Sequence, residues 1–140
     1  SDLHLIDTKA TYSLPIRVYI EDTDAGGIVF YANYLKFFER ARTEFIRSKG
    51  FQLRAGFESN VSYVVHSLEI KYLKPARLDD LVFATACVEK VARTYLQFSQ
   101  QVMNEDGECL VEGRVKVACV TLDTAKPRVL PAELIQQLTT

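Results

Sequence analysis

The sequence predicts an α+β fold in which a single antiparallel sheet wraps one long helix. Three observations carry this expectation. One stretch, from about Ala32 to Gly50, repeats its apolar residues at helical spacing. Four later stretches, Val61 to Lys74, Leu81 to Val91, Tyr95 to Asn104 and Glu108 to Leu122, read as strands. The turns between those strands are short, which favours antiparallel neighbours.

Residues 1–12 carry little pattern and are expected to form a loosely held terminus or a short edge segment. Ser13 to Glu21 alternates Ile16, Val18 and Ile20 with Arg17 and Tyr19. This is a short strand with Pro15 near its beginning, where a missing donor is tolerated. Asp22 to Gly27 is a turn, and Gly26 and Gly27 permit positive φ and close approach to the backbone. In the helix, Tyr34, Phe38, Ala41 and Phe45 recur at steps of four, three and four, widened by Leu35 and Ile46. Arg40, Arg42, Thr43, Arg47 and Lys49 lie mostly off that stripe. Asn33 is the expected N-cap, and Lys49-Gly50 closes the helix with a last-turn cation and a C′ glycine.

Gln52 to Asn60, with Gly56 inside it, reads as a loop. In the next strand His66, Leu68, Ile70 and Tyr72 share one face, and Val65, Ser67, Glu69 and Lys71 the other. Pro75 to Asp80 is a turn. Leu81 to Val91 is mostly apolar, so cover on both sides is expected, and with it a surface that a second subunit would bury. Glu89 to Thr94 and Glu105-Asp106-Gly107 are the remaining turns. The last strand has the clearest alternation, Val111, Val115, Val117 and Cys119 against Glu112, Arg114 and Lys116. Gly113 falls on the apolar side, where a bulge or a closely approaching helix accounts for it. Pro131-Ala132-Glu133-Leu134 opens a short closing helix. No repeat, low-complexity tract or linker interrupts residues 1–140, which read as one domain.

Composition narrows the function. Apolar residues make up 48% and charged residues 25%, as in ordinary globular proteins. A formal net charge of −1 gives no electrostatic case for a nucleic-acid partner. No apolar run approaches the roughly 18 residues of a membrane span. Cys87, Cys109 and Cys119 sit in strand-like segments without C-x-x-C spacing and read as small packed hydrophobes. Their odd number and the lack of a secretory signal lead to the expectation of a cytoplasmic protein.

The chemistry concentrates in the turn before the helix. Asp22, Asp24 and the Gly26-Gly27 pair precede a helix N-terminus, where amides lack intrahelical partners and the dipole is positive. A carboxylate beside such amides can attack a carbonyl or activate water while the amides hold a developing oxyanion. On spacing alone the same aspartates also fit a plain Asx turn. The other candidates favour bland readings. His4 lies in the unpatterned terminus and His66 on an apolar strand face, where packing is the expectation. Ser13, Ser48, Ser59, Ser62, Ser67 and Ser99 lack a nucleophile elbow, and no cluster has metal spacing. Glu39, Arg40, Arg42 and Glu44 form charge pairs expected on a solvated or interface face.

The stretch E-D-T-D-A-G-G-I-V-F-Y-A-N-Y-L-K-F-F-E-R-A-R, Glu21 to Arg42, resembles the signature of hotdog-fold acyl-CoA thioesterases. The similarity is to the 4-hydroxybenzoyl-CoA thioesterase subgroup, which includes bacterial thioesterases encoded beside the Tol–Pal envelope system. Tyr72 to Asp80, Y-L-K-P-A-R-L-D-D, resembles a second block of that group, and the likeness runs from about Ile16 to Leu134. It implies a homodimer with continuous sheets, often paired again into a homotetramer, and two active sites at the subunit interface. It implies no metal and no cofactor, the coenzyme A thioester being the substrate. By the motif, Asp24 is the catalytic carboxylate, as nucleophile or general base, and the Tyr31 backbone N–H is the oxyanion donor. Gly27, Arg93 and Thr94 fall at substrate-binding positions; Lys71, Lys74 and Arg77 are other cations for the coenzyme A phosphates. Tol–Pal-associated members often have histidine at Tyr31, and the aromatic-acyl branch has proline at Ala25, so the acyl group does not carry over.

The expectation is therefore an acyl-CoA thioesterase. Two alternatives stand beside it: a thioesterase for acyl groups on acyl carrier protein, and a non-catalytic acyl-CoA binder of the same fold.

Overall fold

The computed structural model describes residues 11–51 and 60–139. The segment 1–10 with His4, and the loop 52–59 with Gly56 and Ser59, lie outside the described residues. The strands are β1 (Tyr12–Arg17), β2 (Val61–Tyr72), β3 (Leu81–Val91), β4 (Tyr95–Met103) and β5 (Cys109–Thr121). They form one sheet of order β1-β3-β4-β5-β2 in which every neighbouring pair is antiparallel. The long helix α1 (Asn33–Ser48) packs against β3, β1 and β4, and a short helix α2 (Ala132–Leu138) closes the chain. Register shifts after Val65, Val88 and Val102 add local twist, which helps the sheet curl around the helix.

The core lies between α1 and the inner sheet face. Tyr34, Phe38, Ala41, Phe45 and Ile46 are buried as the helical stripe requires, but Leu35 is exposed and Phe37 takes its place in the core. Each of the three buried helix phenylalanines, Phe37, Phe38 and Phe45, contributes about 1.5–3 kcal/mol. Opposite them, Val82, Ala84, Ala86 and Val88 alternate with half-buried Phe83, Thr85 and Cys87. Thus β3 is buried fully on one face only, which corrects the expectation of cover on both. Among the described residues the three cysteines form no disulfide; Cys119 is buried and Cys87 and Cys109 are half-buried.

Gly113 is explained by the approaching helix. A Cβ there would stand 2.8 Å from the Glu69 carbonyl oxygen and 2.9 Å from the Phe38 ring. The C-terminus of α1 also follows its sequence signal. Gly50 has φ +88°, its amide donates to Arg47 O, and Phe51 N donates to Ile46 O. That pair of bonds is the Schellman arrangement.

Three local expectations are corrected. β1 ends at Arg17, and Ile20–Asp22 form one turn of 3-10 helix because the Asp22 carboxylate accepts the Tyr19 amide at 2.9 Å. Arg42 is no surface residue: it is 8% exposed and donates to Gln100 Oε1 at 3.0 Å. Gln100 Nε2 in turn donates to Phe38 O and Thr85 O, joining helix to sheet. His66 is exposed at the β2 register shift instead of packed.

The topology also leaves apolar side chains exposed at an edge of the sheet. β3 sits between β1 and β4, so it is not an edge. β2 is an edge, and Val64, Val65 and Leu68 are 42%, 48% and 39% exposed on it. An edge strand with exposed apolar side chains is a ready template for pairing.

Candidate active site

The turn between β1 and α1 is a miniature hairpin. Asp24 N donates to Ile28 O, Gly27 N donates to Asp24 O, and Thr23 pairs with Val29. A three-residue loop of this kind needs a left-handed residue in third place, and Gly27 supplies it with φ +78°. Gly26 contributes closeness, not positive φ. Its amide donates to Asp24 Oδ1 at 2.8 Å, and a Cβ on it would sit 3.3 Å from that oxygen. The hairpin is fastened to the segment before β3, since Leu78 N donates to Gly27 O and Val29 N to Ala76 O.

The two aspartates divide the work. Asp22 is 5% exposed, caps Tyr19 with its carboxylate, and accepts Phe30 N and Asn33 Nδ2 on its carbonyl. It is a structural residue of the turn. Asp24 is exposed, and its Oδ1 is oriented by Gly26. The Asx turn read as an alternative to catalysis is present, and it fixes the direction of the carboxylate.

Asn33 does not cap the helix as expected. It is the first helical residue and spends its side-chain amide on Asp22 O. Ala32 occupies the N-cap place, and no side chain caps α1. A missing cap costs roughly 1 kcal/mol, and it leaves the first amides open. Phe30 N and Asn33 N have backbone acceptors, whereas among the described residues the Tyr31 amide donates to none. The Tyr31 carbonyl accepts the Tyr72 hydroxyl. Exposed Phe30, Tyr31 and Tyr72 gather here, with ring centroids 4.8 Å (Phe30–Tyr31) and 6.0 Å (Tyr31–Tyr72) apart. Burial pushes the Tyr72 phenol above its ordinary range, and the neighbouring Tyr31 adds to this. The Tyr34 phenol is likewise raised by burial, offset in part by its bond from Ala76 N.

Asp24, Gly27 and Tyr31 lie on the hairpin and the helix start that follows it, whereas Arg93 and Thr94 lie elsewhere. Those two lie in the β3–β4 turn, with the Arg93 carbonyl accepting Leu130 N and the Thr94 carbonyl accepting Cys119 N. The Asp24 hairpin is tied to the opposite end of β3, beside Leu78. With 11 residues, β3 separates the two turns by roughly 35 Å at about 3.3 Å per residue. Of the other cations, Arg77 pairs with Ile28 beside the hairpin, Lys74 is engaged by Glu108, and Lys71 is exposed on β2. Glu39 is exposed on α1, and Glu44 pairs with Arg47.

Among the described residues no group of His, Cys, Asp or Glu is arranged to hold a metal ion, and no helix is long and apolar enough to cross a membrane.

An antiparallel five-stranded sheet curled around one long helix is the frame of a class of thioester hydrolases. The chain belongs to the thioesterase superfamily, whose profile matches residues 26–111. Its relatives sharpen the placement. An acyl-CoA thioesterase YbgC of Haemophilus influenzae is 44% identical over 124 residues, 88% of this chain and 90% of that one. An acyl-CoA thioester hydrolase YbgC of Escherichia coli is 41% identical over 123 residues, 88% of this chain and 92% of that one. The crystal structure of a probable thioesterase from Bartonella henselae superposes with a TM-score of 0.80 at 34% identity, over 87% of this chain and 100% of that one. The resemblance read from the two sequence blocks therefore holds for family and for the hotdog fold.

Proposed function

We propose that this chain hydrolyses acyl-CoA thioesters, converting acyl-S-CoA and water to a carboxylic acid and free coenzyme A. The observation that carries the reading is the exposed Asp24 carboxylate, oriented by Gly26, beside an uncapped helix start with a free Tyr31 amide. The thioester carbonyl lies over the helix start and accepts the Tyr31 N–H as negative charge develops on its oxygen. Asp24 either attacks the carbonyl, expelling the coenzyme A thiolate and leaving a mixed anhydride for water to cleave, or removes a proton from the attacking water. In a single turnover in labelled water, solvent oxygen found in Asp24 identifies the anhydride route with water attacking the Asp24 carboxyl carbon, the product acid then carrying an oxygen from Asp24. The general-base route puts the solvent oxygen in the product acid. Gly27 lets the substrate lie against the backbone, and no metal or cofactor takes part.

The site is shared between two subunits of a cytoplasmic homodimer, and doubling to a homotetramer through a second interface leaves this one intact. Antiparallel pairing of β2 with its copy sets the Asn60 end of one strand beside the Tyr72 end of the other. The Asn60 end carries the β3–β4 turn, since Leu122 N donates to Asn60 O and Cys119 N to Thr94 O. The partner's Arg93 and the partner's Thr94 thereby approach Asp24 and meet the phosphates of the bound coenzyme A. Sedimentation equilibrium is expected to show no folded monomer at micromolar concentration. A fully active monomer would remove the shared site.

Thiol release over a panel of aliphatic and aromatic acyl-CoAs, with a carrier-protein thioester alongside, tests the reaction. Release from at least one acyl-CoA, faster than from the carrier thioester, is expected. Binding without release would make the chain a non-catalytic acyl-CoA binder. Tyr31→Phe is expected to keep kcat within a few-fold of wild type, because the donor is the amide and the phenol is dispensable. A loss as large as that of Asp24→Asn would assign the role to the hydroxyl.

A further inference from the structure

The Tyr31 carbonyl has a partner that helix geometry does not supply. In a regular α-helix it would accept the amide four residues on, that of Leu35. Leu35 N instead donates to Ala32 O at 3.1 Å, a tighter 3-10 closure, and the Tyr31 carbonyl accepts the Tyr72 hydroxyl at 3.1 Å. Tyr72 is the last residue of β2, so this bond ties the helix start to the far end of an edge strand.

The Tyr72 ring is itself held. It meets Tyr31 edge-on at 6.0 Å and Tyr34 at 5.8 Å. Tyr34 is buried, and its hydroxyl accepts Ala76 N at 3.0 Å. Tyr31 precedes the regular helix, so few bonds set its φ and ψ. The peptide on its N-terminal side is pinned through Phe30 O, which accepts Asn33 N at 2.8 Å. On its C-terminal side, among the described residues, the carbonyl is fixed by Tyr72 alone.

We propose that Tyr72 is a positioning residue whose hydroxyl fixes the Tyr31 backbone so that the Tyr31 N–H stays aimed at the developing oxyanion. The proposal rests on the thioesterase reading above and names a further residue of that site. Its physical basis is the steep dependence of hydrogen bonding on angle and of catalysis on placement. The Tyr31–Ala32 peptide is the middle link of the turn that Asn33 N and Phe30 O close, and that turn carries the Tyr31 N–H. Without the hydroxyl this link turns more freely, the closure loosens, and the donor spends less time in line.

The test is Tyr72→Phe. The side chain is 44% exposed and keeps its ring in the variant, so folding is preserved. With the best acyl-CoA of the panel, kcat is expected to fall about five- to tenfold with KM within about twofold and the thermal midpoint unchanged. Wild-type kcat and KM would overturn the proposal. A raised KM with unchanged kcat would also overturn it, placing the hydroxyl on the substrate. The carbonyl carbon shift of Tyr31, read by NMR in both proteins, needs no activity. It is expected to move upfield in Tyr72→Phe as the bond is lost, while the Asn33 amide stays in place. An unchanged shift overturns the clamp whatever the kinetics. If wild type releases no thiol from any acyl-CoA, the proposed function falls, and the shift alone decides whether Tyr72 holds Tyr31.

Discussion

Asp24→Asn is expected to fold as wild type does and to lose thioester turnover by at least about a hundredfold in kcat, the scale of a missing general base or nucleophile. The fold survives because the asparagine Oδ1 accepts the Gly26 amide as the carboxylate does, so the hairpin keeps its Asx bond. Gly27 keeps its positive φ, and Asp22 still caps Tyr19. What disappears is the negative charge and the free oxygen. KM should change little, since the acyl-CoA is held elsewhere. A variant with kcat within about threefold of wild type would show that the reaction runs without Asp24.

Gly113→Ala carries the largest expected loss of stability. Its Cβ would be 2.8 Å from the backbone oxygen of Glu69 and 2.9 Å from the Phe38 ring, and neither neighbour is the free end of a flexible side chain. Phe38 is 1% exposed, and its carbonyl is bonded by Gln100, so helix and sheet must move apart to admit one methyl group. Overpacking of this kind costs about 1–3 kcal/mol. Urea unfolding should show the midpoint lowered by that free energy divided by the slope, with the slope itself unchanged. An unchanged midpoint would mean that α1 does not press on β5 at Gly113.

The two predictions show what the sequence could and could not disclose. Gly113 announced itself because a glycine on an otherwise apolar strand face leaves a gap that something must fill. Asp24 and Gly27 were legible because turn chemistry is local: an acid two residues before a glycine and a left-handed third loop position both lie within a few bonds. Arg42 misled because periodicity assigns a face by angle, whereas Gln100 reaches it from β4, 58 positions away. Asn33 misled because the cap rule sees only its own helix, and its side chain is claimed by the Asp22 carbonyl. From sequence, β3 reads as covered on both faces because alternation records which residues are apolar and not where a strand lies in the sheet. β2 crosses to the far side of β5, and that crossing alone makes it the exposed edge.

The same topology makes the central claim testable in a single measurement. Asp24 and the Arg93-Thr94 turn lie at opposite ends of β3 in one chain, so the account requires each active site to draw on two chains. Hybrid dimers are to be purified by two tags, one subunit carrying Asp24→Asn and the other Arg93→Ala with Thr94→Ala. Each homodimer is expected to be impaired, while the hybrid holds one site with both lesions and one with neither. It should recover about half of wild-type acyl-CoA turnover per dimer. A hybrid no more active than its parents would place Asp24 and the Arg93-Thr94 turn in the same subunit's site and contradict the account.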